Sequence, residues 1–445
     1  MKRLALAVLL LGCPTEPEPP VVDPIIDPLS RPAEPTLDVS AFEPSETCAE
    51  CHPDHAAQWA GSSHAYAMVD PVFRALVEVR RADHAGAQDT FCLQCHTAIG
   101  TRGGEIVPNF SWDALSPVVQ EGVTCTACHQ VTTVERAWNS GHVLAADAPM
   151  LGGIGDPVAS AQHDSVESNL IGSALFCGGC HDVVELDGLQ LERPYEEWTE
   201  SPSADAGQTC QDCHMPPTTG EAATGTGVDR TLHDHRFVGI DVPLTDDFVA
   251  PEVVEDLRTR IGALLETAAT MTASAEPVAP GETANLVVTV RNEIDGHNLP
   301  TGSTFIRQMW LDVTVTDADG AVVFRTGDLD ANGDLKDHWS DLEPYGDPDL
   351  VTYGSRLTAL DGSPELFPWR ANEHTLSTIP PRHDRTSTLF VPTTAATNFP
   401  LQVSARVRLR THPPFLLRAL GLDELIPNVE TWDLAEATTS ITHVQ

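Results

Sequence analysis

The sequence predicts an α+β protein built in two unlike parts. A mainly helical and irregular domain fills residues 45–250, and an antiparallel β-sandwich of immunoglobulin-like kind fills 276–445. Three observations predict it. Ten of the 11 cysteines stand as five close pairs between Cys48 and Cys213, and none follows. From residue 276 onward, apolar residues alternate with polar ones between turn signals. Between the two parts, Val253, Val254, Leu257, Ile261, Leu264, Leu265 and Ala268 recur at helical spacing, so 251–275 reads as a connecting helix.

The chain starts with an export signal over 1–12. Met1-Lys2-Arg3 is basic, and Leu4 to Leu11 is an apolar run too short to cross a bilayer. Leu10-Leu11-Gly12-Cys13 resembles a bacterial lipoprotein processing site. Cleavage before Cys13 and lipidation of its thiol would anchor the exported protein to a membrane surface. An ordinary signal peptide with an incidental cysteine is the alternative. Pro14 in place of Asp after Cys13 favours the outer membrane, facing the periplasm or the cell surface. Residues 13–44, rich in Pro, Asp and Glu and without periodicity, read as a tether.

Charge bounds the partners. Acidic residues number 65 against 25 basic, for a net charge of −40, which excludes nucleic acid and favours basic partners. Lys2 and Lys336 are the only lysines, so a lysine-ringed docking face is excluded.

In the β part, Leu286, Val288 and Val290 alternate with polar neighbours apart from Val287, and Leu311, Val313 and Val315 alternate with Asp312, Thr314 and Thr316. Asp317-Ala318-Asp319-Gly320 offers a turn, and Leu401, Val403, Ala405, Val407 and Leu409 alternate again. Asp328 to Asp334 resembles the first half of a calcium loop, but its twelfth position is Trp339; a polar turn is the simpler reading. Nothing resembles a phosphate loop or a Ser-His-Asp arrangement.

The paired cysteines carry the chemistry. Cys48 and Cys51 precede His52; Cys92 and Cys95 precede His96; Cys125 and Cys128 precede His129; Cys177 and Cys180 precede His181; Cys210 and Cys213 precede His214. Each is C-x-x-C-H, the signature of covalent haem attachment. Two thiols three residues apart lie on one side of a helical turn and can bond both vinyl groups of one haem. The following histidine then supplies the proximal iron ligand. Zinc sites do not require a histidine after every pair, redox dithiols call for one motif in a thioredoxin-like context, and structural disulfides need no histidine at all. All five pairs carry that histidine, so the sequence predicts five haem c groups, and the cysteine count closes with Cys13 left over.

The motifs also repeat. "FCLQCH" at Phe91 matches "FCGGCH" at Phe176, and "GVTCTACH" at Gly122 matches "GQTCQDCH" at Gly207. First cysteines within each unit are 33 residues apart (92 to 125, 177 to 210), and the units are offset by 85 (92 to 177). A duplicated two-haem unit with one motif added in front explains this. Ordinary core residues are sparse over 45–250, so the haems themselves are expected to fill the interior.

Removing five proximal ligands from 18 histidines leaves 13, enough to give every iron a second imidazole. "WAGSSHA" at 59–65, "GVTCTACH" at 122–129, "GQTCQDCHMP" at 207–216, "HDHRFVG" at 233–239 and "GHNLPTG" at 296–302 resemble the multihaem cytochromes related to the tetrahaem partner of hydroxylamine oxidoreductase. The resemblance spans about 48 to 420 and implies distal roles for His64, His163, His235 and His297. The fifth distal ligand is open among His142, His84 and His55, with His142 leading, and His233 rivals His235. His338, His374, His383, His412 and His443 are expected at the surface. Met215-Pro216 reads as a chain exit.

Five haems attached within 167 residues (48 to 214) must be crowded, and crowded haems pass electrons from one to the next. The reading is a respiratory electron carrier with redox protein partners, basic or quinol-linked. Two alternatives stand beside it. One is an oxidoreductase acting on a small nitrogen or sulfur compound at one open haem. The other is a haem-bearing subunit of a filament or respiratory complex.

Overall fold

The structure is a computed structural model that describes residues 35–245 and 247–444. The export signal, Cys13 and most of the tether lie outside the described residues.

In the first part every cysteine motif lies on a short helix. These are Ser45–Ala49, Thr90–His96, Cys125–His129, Ala174–His181 and Cys210–His214. Four end on the motif's histidine; in the first, the His52 N–H donates to the Cys48 carbonyl at 2.9 Å and closes one more turn. The repeat is visible in the backbone. Gly122 and Gly207, at matching positions before the third and fifth motifs, have φ of +79° and +71°, a region that costs any other residue energy.

The helix Pro71–His84 is capped by Asp70, whose carboxylate accepts from the Val72 N–H at 2.9 Å, and it ends at Ala85 in the left-handed region. Its Phe73 and Val77 join Phe42, Met68, Leu93, Ile99, Phe110, Val119 and Leu144 in an apolar cluster. This corrects the expectation of a sparse interior over the whole segment: residues 42–144 build a core of their own. Beyond Leu144 that cluster has no fully buried member, and Leu191 packs instead with Leu357 and Ala371 of the second part.

The connecting helix runs Pro251–Leu265 and stops there. Residues Ala269–Ala275, expected within it, form strand β1 instead. The reason is local: Thr270, Thr272 and Ser274 alternate with residues turned inward, a period of two. Strands β2 (Thr283–Asn292), β3 (Gln308–Thr316), β4 (Val322–Thr326), β5 (Asp384–Pro392), β6 (Leu401–Arg410) and β7 (Thr431–Ile441) follow. They form two antiparallel sheets, ordered β5-β2-β1 and β4-β3-β6-β7, with the short strand Thr352–Tyr353 also on β3. Leu286, Val288 and Val290 of β2 share one core with Leu311, Val313 and Val315 of β3 and Val403, Ala405 and Val407 of β6. Leu257, Ile261 and Leu265, on one stripe of the helix, enter that core as well.

The Asp328–Asp334 stretch is a polar turn tied to the rest of the β part. Asp330 accepts from the backbone of Asn332 and Asp334 and from the Ser340 hydroxyl, Asp334 pairs with Arg418, and Asp328 pairs with Lys336. Protein partners occupy the carboxylates that calcium would need.

Candidate haem sites

The ten motif cysteines are all free, so no motif closes as a disulfide. Among the described residues no group of three or more His, Cys, Asp or Glu side chains converges as a metal-ion site. Each motif therefore presents two thiols and one imidazole, the set that haem c takes.

The folds of the two parts bring histidines together in pairs. His52 faces His163 with ring centroids 6.2 Å apart, His181 faces His64 at 6.2 Å, His129 faces His235 at 6.2 Å and His214 faces His297 at 6.3 Å. Rings in direct contact come closer: Phe73 stacks on His96 at 3.6 Å and 4°. Two imidazoles bound about 2 Å from one metal on opposite sides have ring centroids about 6 Å apart. In each pair one member is the motif histidine and the other is one of the four distal candidates.

Backbone carbonyls orient these rings. The Nδ1 atoms of His96, His129 and His214 lie 3.1, 2.6 and 2.8 Å from the carbonyls of Ala67, Leu151 and Val238, and His52 Nδ1 meets the Ala222 carbonyl at 2.5 Å. His235 and His297 do the same to His233 and Asn298 at 2.7 and 2.8 Å. A hydrogen bond at Nδ1 fixes the tautomer and leaves Nε2 as the metal-binding atom. Burial favours the uncharged ring at four of these positions: it pushes His64, His96 and His297 down to about 4 and His235 to about 3. The neutral ring is the ligating form.

His142 is not brought opposite a motif histidine. Its Nε2 meets the Phe176 carbonyl at 2.7 Å, and its Nδ1 lies 3.5 Å from the Cys180 sulfur. With both ring nitrogens engaged, it stands beside the fourth motif and faces no motif histidine. His55 lies 6.3 Å from His52, three residues along the chain, and packs edge-on against His235 at 4.8 Å. His84 has a buried Nε2 with no hydrogen-bond partner, and His233 binds the Met215 carbonyl through Nδ1 at 2.7 Å. Among the described residues, His96 thus has a stacked phenylalanine and no facing imidazole. His383 and His443 are exposed as expected, but His412 is buried.

The attachment sites lie close together. The Cys48 and Cys125 thiols lie near enough to perturb each other, as do Cys95 with Cys180 and Cys177 with Cys210. Cys128 lies close enough to Cys177 and Cys180 for their charges to interact. Motifs one, three, four and five therefore lie in a row, with motif two beside motif four. Cys51 and Cys213, at the two ends of that row, are exposed.

The β part closes over these sites. Glu197 accepts from the Asn298 N–H at 3.1 Å and from the Thr301 hydroxyl at 2.5 Å, next to His297. Arg370 and Trp369 bind Asp83, and Ser303 binds Glu192. Sequence reasoning missed the orienting carbonyls and the Phe73 stack. Carbonyls have no sequence signature, and Phe73 carried only its place two residues after Pro71.

A family described as cytochrome c554 and c-prime matches residues 47–130. A penta-heme cytochrome c552 from Thermochromatium tepidum is 20% identical in sequence and superposes with a TM-score of 0.64, covering 91% of this chain and 100% of that one. A CARDB domain from Pyrococcus furiosus, 12% identical over 40% of this chain and 87% of its own, has a TM-score of only 0.17. No curated protein sequence matches the chain. The matches to the cytochromes support a multihaem c-type cytochrome that binds haem c.

Proposed function

We propose that this chain carries electrons between respiratory partners outside the cytoplasm through five covalently bound haems. In this reading it is a relative of the multihaem cytochromes that accompany hydroxylamine oxidoreductase. The four imidazole pairs at 6.2–6.3 Å carry the reading, because two imidazoles on one iron leave no open position and favour electron transfer over substrate chemistry. Haem c supplies a one-electron iron couple. The chain's own residues hold it through ten thiols, fix the ligand tautomers from backbone carbonyls and set the order of the row. Exposed Cys51 and Cys213 make the haems of motifs one and five the entry and exit. The acidic surface favours basic partner proteins or a quinol-linked donor. Export, lipidation at Cys13 and an outer-membrane position complete the proposal.

A second reading has one observation in its favour. His96 faces no imidazole among the described residues, so the haem of motif two is the place for an open position and for a small nitrogen or sulfur compound. Stopped-flow reduction by a one-electron donor, followed by reoxidation with nitrite or hydroxylamine, separates the two. A carrier reoxidises slowly with both compounds and rapidly with an oxidised redox protein. Rapid turnover of either compound overturns the carrier reading.

A further inference from the structure

Two buried arginines stand beside the cysteines of motif two, and they differ in one respect. Arg80, next to Cys92, is ion-paired with Glu185, so its charge is balanced. Arg102, only 7% exposed, pairs with no carboxylate among the described residues. Its Nη2 donates to the Ser140 carbonyl at 2.6 Å, the Ser140 hydroxyl at 3.3 Å and the His142 carbonyl at 2.8 Å. Its Nη1 donates to the Ser140 hydroxyl at 3.2 Å and the Ala98 carbonyl at 3.5 Å. Every one of these acceptors is neutral. In a chain of net charge −40, a buried guanidinium held only by neutral groups is unusual, because an uncompensated buried charge is costly.

Its position says what it acts on. Arg102 lies close enough to Cys95 and Cys180 for its charge to act on both sulfurs, and His142, to whose carbonyl its Nη2 donates, also lies 3.5 Å from the Cys180 sulfur. Of the two sulfurs, one belongs to motif two and the other to motif four. Haem c forms its thioethers at the vinyl edge of the ring, whereas its propionates hang from the opposite edge. The propionates of these two haems would therefore leave from the edge opposite the two sulfurs. Glu192 is the one carboxylate whose charge bears on both Cys92 and Cys95, and it hydrogen-bonds Ser303, not Arg102.

Resting on the haem reading above, we propose that Arg102 is a fixed buried cation that raises the reduction potential of the haems at Cys92–Cys95 and Cys177–Cys180. Reduction adds one electron and no proton at each iron. A neighbouring positive charge in a low-dielectric site stabilises the added negative charge. Electrons entering from either end of the row then settle first on this pair. Arg102 is a positioning residue for charge and touches no reacting atom.

The test is a potentiometric titration of the full-length holoprotein, followed in the visible haem bands, for wild type, Arg102→Gln and Arg102→Lys. Two of the five components should move to lower potential in Arg102→Gln while three stay, and Arg102→Lys should restore them. Ser140 provides an independent variant if Arg102→Gln does not assemble. It sits at φ +56°, which Asp and Asn tolerate, and it already touches the guanidinium. Ser140→Asp should lower the same two components by balancing the charge, and Ser140→Asn should not. Unshifted curves in fully loaded Arg102→Gln or Ser140→Asp overturn the inference, as does a common shift of all five components. A wild-type protein with fewer than five haems by pyridine haemochrome assay would instead overturn the haem reading itself.

Discussion

His297 lies on the loop between β2 and β3, yet its ring stands 6.3 Å from His214, across the boundary between the two parts. If both bind one iron, His297→Ala leaves that haem with one strong ligand. We expect one of the low-spin haems to become high-spin in the electron paramagnetic resonance spectrum, with the other haems unchanged. His297→Met should keep it low-spin and raise its potential. For His96 the expectation is the reverse. Carbon monoxide added to the dithionite-reduced protein should bind at about one equivalent, and no uptake would mean that a sixth ligand reaches that iron. The motifs themselves were legible in the sequence because covalent haem attachment would fix the spacing of two thiols and a histidine. The facing histidines were not legible by spacing: His163 stands 14 residues before Cys177 but faces His52, not His181. Only the resemblance singled out His64, His163, His235 and His297, and it did not say which iron each would serve. His142 led for the fifth, open place, but its Nε2 is committed to the Phe176 carbonyl.

The repeated motif helices begin from a shared device, and its two copies differ in how tightly they are held. A Cβ on Gly122 would stand 2.7 Å from the His64 carbonyl, whereas one on Gly207 meets nothing within 4 Å. Gly207→Ala should cost about 1–2 kcal/mol, the expense of a left-handed alanine. Gly122→Ala should cost more and disturb His64, so its extra effect should appear in the spectrum of one haem as well as in denaturant stability. The connecting helix offers a separate test. Ile261 of that helix is fully buried in the core shared with the strands, and Ile261→Ala should destabilise the β part by about 2–5 kcal/mol without changing haem content. Alternation announced the strands reliably where one face is buried, as along β2 and β6. It was overruled at 269–275, where the helical periodicity of 253–268 was carried too far and the Thr-x-Thr alternation was the better guide. The duplication was legible because both copies kept their glycine; the added apolar cluster around Phe73 was not, because its members are scattered from Phe42 to Leu144.

Across the whole molecule, charge and burial set how the protein responds to solution. With a net charge of −40, association with a basic redox partner should weaken steeply between low and physiological ionic strength, as measured by association rate. Acid should destabilise the β part through His412, which burial pushes down to about 4. The unfolded chain binds this proton near pH 6.5 and the folded one does not, so stability is complete above 6.5 and declines as pH falls toward 4. His412→Gln should remove about 2 kcal/mol of the loss seen between pH 6.5 and 5, measured by denaturant unfolding at both values. The two-part architecture was legible from where the cysteines stop. The way the parts are joined was not, because Glu197, Asp83 and Glu192 meet partners about 100 to 290 residues away, and no local pattern marks them. The central claim is that four pairs of imidazoles each hold one iron. Near-infrared magnetic circular dichroism of the oxidised holoprotein tests it directly, since bis-imidazole and imidazole–thioether haems absorb at different energies. The account predicts a bis-imidazole band with the intensity of four haems. A band of histidine–methionine type, or intensity for two haems or fewer, would contradict it.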